Sequence, residues 1–143
     1  MREILFRGKR KDNGEWIEGN GIVQGQDGIS YARWVDICDD KMRYEVIPES
    51  VLRFTGLKDK NGKKIFEGDI IKAITIDTNT EQLAVIGFGK FVDGYGDDEY
   101  IGFYIEFDGL KTTITQLLME EVKGRFEVIG NIYDNPEFLG EEK

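Results

Sequence analysis

The chain predicts a mainly β protein carrying one short helix. Three observations lead there. Apolar residues alternate with a two-residue period over most of the length, 18 glycines stand against two prolines, and one stretch alone has helical spacing. Period-two alternation puts every second side chain on one face of a strand, and so many glycines suit a protein of tight turns.

The elements follow in order. REILFR opens the chain as a strand, and KDNGEWIEGNGIV continues it through Asn13-Gly14, a strong hairpin signal. The stretch from Ser30 to Val51 is ambiguous: its aromatic content favours strands, and Pro48 breaks whatever precedes it. IIKAITI, from Ile70, is β-branched on both faces and reads as a strand buried on both sides. LAVIGFGKFV holds Gly87 and Gly89 within a strand pattern, which predicts a bend or bulge. In YIGFYIEF, Ile101, Phe103, Ile105 and Phe107 alternate with Tyr100, Gly102, Tyr104 and Glu106. The helix falls at residues 113–124: Thr113 and Gln116 have capping-box spacing, Ile114, Leu117, Leu118 and Val122 share a face, and Gly124 suits the position after the end. RFEVIGNIY closes the set as a strand. KDNGEWIEGNGIV and KNGKKIFEGDII echo each other, either as a duplicated hairpin or through reuse of the same turn chemistry.

With 143 residues, no low-complexity linker and 40% hydrophobic content, the chain reads as one globular domain over 1–143. No apolar run approaches the ~20 residues that span a bilayer, and no leader pattern follows Met1, so a soluble intracellular protein is expected. Cys38 is the single cysteine, which fits a reducing compartment, and there is no histidine. Histidine-activated serine or cysteine nucleophiles are therefore excluded, as is a cysteine-histidine zinc site. A net charge of −9 disfavours general nucleic-acid or anionic-membrane binding, which needs a basic face.

Five candidate sites stand against plainer readings. In TGLKDKNGKK, Gly56, Gly62 and Lys63 approximate a phosphate-binding loop. Five residues separate the glycines instead of four, Lys64 replaces the magnesium-binding hydroxyl, and a strand follows instead of a helix. Asn61-Gly62 reads instead as the positive-φ corner of a hairpin. GNGIVQG is out of register for a dinucleotide fingerprint, and DTNTEQ lacks the glycine and the closing glutamate of a calcium loop. Asp93, Asp97, Asp98 and Glu99 gather in one run, read as a solvated loop, with weak cation binding the sharper alternative. Lys9, Arg10 and Lys11, with Lys58, Lys60, Lys63 and Lys64, cluster at the two Asn-Gly turns. If those hairpins lie side by side they form one basic patch; the plainer reading is solubility. Trp16, Phe66, Tyr100 and Tyr133 are expected mostly in the core.

Three blocks carry a family resemblance: REILFRGK at the start, VIPESVLRFTGLKDKNGKKIFEGDII in the middle and FEVIGNIYDNPEFL near the end. In this order they resemble the YopX family of small proteins from phages and prophages of Gram-positive bacteria. Gly8 departs from the family, where an Ala-Trp pair is commoner after the arginine. The resemblance implies a small SH3-like β-barrel with an accessory β-rich subdomain, the barrel opened by Gly68-Asp69-Ile70-Ile71. It brings no catalytic residues. The motif residues have structural explanations: unusual φ at Gly62 and Gly68, an end to the last strand at Pro136, and a turn capped by Asp69 accepting backbone N–H bonds.

The expectation is thus a non-enzymatic phage or prophage accessory protein in the bacterial cytoplasm, with no cofactor and no metal, binding a protein partner or itself. The alternative is a nucleic-acid-related role, through phosphate contact by the basic hairpins or acidic DNA mimicry against a host protein. A carboxylate hydrolase using Asp97, Asp98 or Glu99 with a metal is the third reading and the weakest.

Overall fold

The computed structural model describes residues 3–74, 80–92, 98–107, 109–114 and 126–140. The chain divides into two compact units, Met1–Gly56 and Leu57–Lys143, and antiparallel strands build both.

In the first unit, β1 (Phe6–Lys9) and β2 (Trp16–Gly19) form a hairpin around Asn13-Gly14, and β1 also pairs with the start of β6 (Leu52–Lys58). Between them β3 (Gly21–Gln26), β4 (Arg33–Cys38) and β5 (Arg43–Val46) make a three-stranded sheet. The ambiguous middle stretch therefore resolves into β4, β5 and a 3-10 turn at Pro48–Ser50. Val35, Ile37 and Val46 form the core, with Phe6, Ile17, Ile22, Met42 and Val51 packed on it. A Cβ on Gly8 would lie 2.8 Å from the Ile37 side chain, so glycine is what lets β1 sit this close to the core.

In the second unit, the chain leaves β6 through Asn61-Gly62 into β7 (Lys64–Phe66). A five-stranded sheet follows in the order β11-β10-β9-β8-β12, from β8 (Asp69–Ile74), β9 (Glu81–Val92), β10 (Glu99–Phe107), β11 (Leu110–Thr113) and β12 (Phe126–Asn131). Ile65, Ile71, Ala84, Ile86, Ile105, Phe126 and Val128 are its core. Ile70 and Ile71 point to opposite faces of β8 and both are fully buried, as the β-branched run predicts.

Two expectations change, and a third falls almost wholly outside the described residues. No sheet closes into a barrel among the described residues. The five-stranded sheet ends at β11 and β12, which share no ladder, and four-residue β11 pairs only with the 104–107 end of β10. The glycines of β9 cause no bulge, because its register with β10 runs unbroken from Val85 to Val92; the register shift lies between Val128 and Gly130 in β12. Gly89 instead pairs with Gly102 at φ values of 157° and 156°, a region L side chains rarely adopt. The expected helix over 113–124 falls, apart from its first two residues, outside the described residues. Thr113 ends β11, and the described residues hold no α-helix.

Candidate functional site

The motif blocks were the first candidates, and their polar side chains are consumed by the backbone. Ser50, Asp59, Asp69 and Asn131 are the buried polar or charged side chains among the described residues, and each fastens a turn. Ser50 accepts the Lys9 N–H at 2.8 Å and donates to the Ile47 carbonyl at 2.6 Å. One Asp59 oxygen accepts the Asn61 and Lys63 N–H groups, each at 2.9 Å, and the other accepts the Val128 N–H at 2.9 Å. Burial alone would raise the Asp59 pKa. Those N–H donors and the Lys63 charge outweigh it, and the carboxyl titrates below its ordinary 3.8.

Asp69 accepts the Phe66 N–H at 2.8 Å across a turn whose Gly68 has φ 85°. Asn131 accepts the Tyr133 and Asp134 N–H groups at 2.9 and 2.8 Å. That turn ends β12 at Asn131, five residues before Pro136, so the asparagine stops the strand and the proline starts the 3-10 turn at Pro136–Leu139. The sequence anticipates the fastening by Asp69 and the positive φ at Gly62 and Gly68; those of Ser50, Asp59 and Asn131 carry no sequence signal beyond residue type.

The basic residues are the second candidate. In the first unit, the Arg10 guanidinium bonds Asp12 at 2.7 Å and lies 4.0 Å over the Tyr44 ring, Lys11 pairs with Glu45 at 3.4 Å, and Lys9 lies 5.6 Å over Trp16. In the second unit, Lys60 reaches Glu127 at 3.8 Å, Lys58 ends β6, and Lys63 and Lys64 lead from the Asn61-Gly62 turn into β7. Arg10, Lys11 and Lys60 thus each face a carboxylate of this chain, which reduces their attraction for phosphate. Of the acidic run, Asp98 and Glu99 are described and Asp93–Asp97 are not; no cluster suited to a metal occurs among the described residues.

The third candidate lies on the second unit. A cleft of about 510 Å³ is lined by Leu83, Val85, Phe107, Phe138 and Leu139, with Gln82 and Glu106 as polar groups. The β9–β10 hairpin also exposes Val92 (58%), Ile101 (69%) and Tyr100 (39%). Phe91 is buried, stacked on Tyr100 and edge-on to Tyr104. Of the four aromatics expected in the core, Phe66 is buried, Trp16 is half-buried, and Tyr100 and Tyr133 are exposed. Strand alternation marked β9 and β10, yet nothing in it distinguished an apolar residue facing the core from one facing water.

The fold and its apolar surface define a mainly β protein whose shared motif residues are turn fasteners. The YopX protein family model matches residues 5–140, and the chain belongs to that family. It is similar to the crystal structure of protein EF1440 from Enterococcus faecalis, with a TM-score of 0.52 and 25% identity over 97% of this chain and 99% of that one. Among curated proteins, none matches.

Proposed function

We propose that this chain is a non-enzymatic phage or prophage accessory protein that acts by binding protein, itself or another, in the cytoplasm of a bacterial host cell. The observation that carries this reading is the pair of exposed apolar residues Val92 and Ile101, which the strand register places on one face of the β9–β10 hairpin. Exposed apolar groups set side by side mark interaction surfaces. The absence of histidine removes the commonest general base, and the motif carboxylates Asp59 and Asp69 are spent on backbone N–H groups. The phosphate-contact alternative is weakened by Asp12, Glu45 and Glu127 beside the basic residues.

A tagged pull-down from a Gram-positive bacterial lysate, with and without nuclease, tests the reading. The expected outcome is one protein, or untagged copies of the chain, retained near stoichiometry and indifferent to nuclease. Nucleic acid in the eluate, or proteins lost on nuclease treatment, would replace this reading with the basic-hairpin one.

A further inference from the structure

Among the described residues, the sheet β3-β4-β5 is open along its β3 edge. Its β5 side is taken: the Glu45 carbonyl accepts the Lys11 N–H at 3.1 Å, and the Ile47 N–H reaches the Lys9 carbonyl at 2.8 Å. β3 has β4 as its one ladder neighbour. Rungs that exchange hydrogen bonds alternate with rungs that do not in an antiparallel pair, so the closing turns show which β3 groups point outward. The Asp27 N–H bonds the Ala32 carbonyl at 2.8 Å, one rung past Gln26–Arg33. The bonded rungs are therefore Gly25–Trp34, Val23–Asp36 and Gly21–Cys38. The β4–β5 ladder agrees. There the Asp39 N–H bonds the Met42 carbonyl at 3.0 Å, so Val35 and Ile37 bond β5 and leave Trp34, Asp36 and Cys38 to β3. The N–H and C=O groups of Ile22, Gln24 and Gln26 thus point away from the sheet. Proteins blunt such edges with charge, proline or a bulge. The other end strands of the sheets each carry charge: Glu18 in β2, Arg43 and Glu45 in β5, Lys64 in β7, Lys111 in β11 and Glu127 in β12. β3, with the sequence GIVQGQ, has no charge, no proline and no break in register.

We propose that β3 pairs with β3 of a second copy of the chain, antiparallel and two-fold, with Gln24 opposite Gln24. This rests on the protein-binding reading and names its partner. The edge is its own complement. About that axis Ile22 faces Gln26 of the second copy, and every outward N–H and C=O of the strand meets a partner. A register centred one residue away, on Val23, would leave Gln26 with no strand residue opposite. Without charge the edge cannot select a foreign strand by sign, so backbone geometry chooses, and that geometry matches itself. On one face the Gln24 amides meet; the oxygen already accepts from Arg33 at 2.8 Å, which leaves the NH2 for the second copy. On the other face Val23 lies across from Gly25, which the Trp34 ring covers so closely that a Cβ there would lie 2.8 Å from it. Asp27, the first charge past the strand, sets the direction; its carboxylate is turned back onto the Ile29 and Ser30 N–H groups. Parallel pairing would place the two Asp27 residues side by side. Antiparallel pairing holds them about 20 Å apart at ~3.4 Å per residue, beyond the roughly 8 Å screening length at physiological salt. A two-fold contact uses both open edges and closes on itself.

Sedimentation velocity on the full chain over a concentration series, with amide exchange followed by NMR, tests the pairing. The expected result is a monomer–dimer equilibrium in which the Ile22, Gln24 and Gln26 N–H groups gain protection as the dimer forms. Those of Val23 and Gly25, bonded to β4 in either state, stay protected throughout. Gln24→Lys sets like charges against each other on the axis and should weaken association by about tenfold or more. It lowers the net negative charge, so that loss cannot come from added overall repulsion. Gln24→Glu should weaken association likewise, and an equimolar mixture of the two variants should recover it, because opposite charges then face each other. Leu110→Lys makes the first charge change at an exposed site on β11 and should leave the equilibrium within about twofold of the original. Gln24 is exposed and its backbone groups lie outside the β4 ladder, so its variants should fold, as circular dichroism confirms. A monomer under every condition, a dimer indifferent to the Gln24 variants, or a mixture no tighter than its components overturns the proposal. A monomer that retains a foreign protein in the pull-down overturns the pairing and leaves the protein-binding reading standing; a monomer with an empty pull-down overturns both.

Discussion

At Asn13-Gly14 the hairpin is held by exposed groups: Asn13 accepts the Glu15 N–H at 2.9 Å, and Arg10 bonds Asp12 on the surface. At Asn61-Gly62 the same dipeptide is held by a buried carboxylate, Asp59, which also takes an N–H from Val128, 69 residues away in sequence. The first turn is one residue longer, its closing bond running from Arg10 to Glu15, against Asp59 to Lys63 in the second. Identical turn chemistry is therefore local in one place and a long-range fastener in the other. The difference lies in the residue that opens each loop.

The largest break in this comparison is Asp59→Ala. It strips three N–H groups of their acceptor, and the variant should lose about 3 kcal/mol of stability, read by urea denaturation. Acid gives a second, separable effect. The Asp59 pKa is lowered in the folded chain, so its contribution is complete above the unfolded value near 3.8 and is lost as pH falls through the folded one. Stability followed down from pH 5 should decline below about pH 4, and Asp59→Asn should flatten that decline.

Gly62→Ala and Gly14→Ala sharpen the comparison instead. Both glycines have positive φ, at 81° and 75°, and an added Cβ meets nothing within 4 Å at either. Each should cost about 1 kcal/mol, the backbone term alone, equal in the two turns. The smallest effect belongs to Asn13→Ala, roughly 0.5 kcal/mol by thermal melting, because water replaces its exposed bond. A loss there as large as for Asp59→Ala would erase the distinction.

Much of the strand content was legible because alternation is a local property. β8, β9, β10 and β12 stand where IIKAITI, LAVIGFGKFV, YIGFYIEF and RFEVIGNIY place them, within two or three residues, and both Asn-Gly turns are hairpins. Closure into a barrel was not legible, because whether β11 meets β12 depends on sheet coiling and no single strand encodes it. The Asp59–Val128 bond was hidden for a similar reason, since its partners meet only after the sheet forms. Val92 and Ile101 illustrate the limit at the surface. Their alternation is that of a half-buried strand, and only the early ends of β8 and β11 leave them in water.

β8 has a consequence for biosynthesis. Its first-unit predecessors find their partners within Met1–Gly56, and β9 follows it closely in the chain. Its other neighbour, β12, is the last strand to be made. At about 5–20 residues per second, the nascent chain carries β8 as an open edge, with Ile70 and Ile71 on its two faces, for several seconds before β12 emerges. That interval is when the protein is most exposed to mispairing with other nascent chains. The Asp59 clasp on β12 is what ends it.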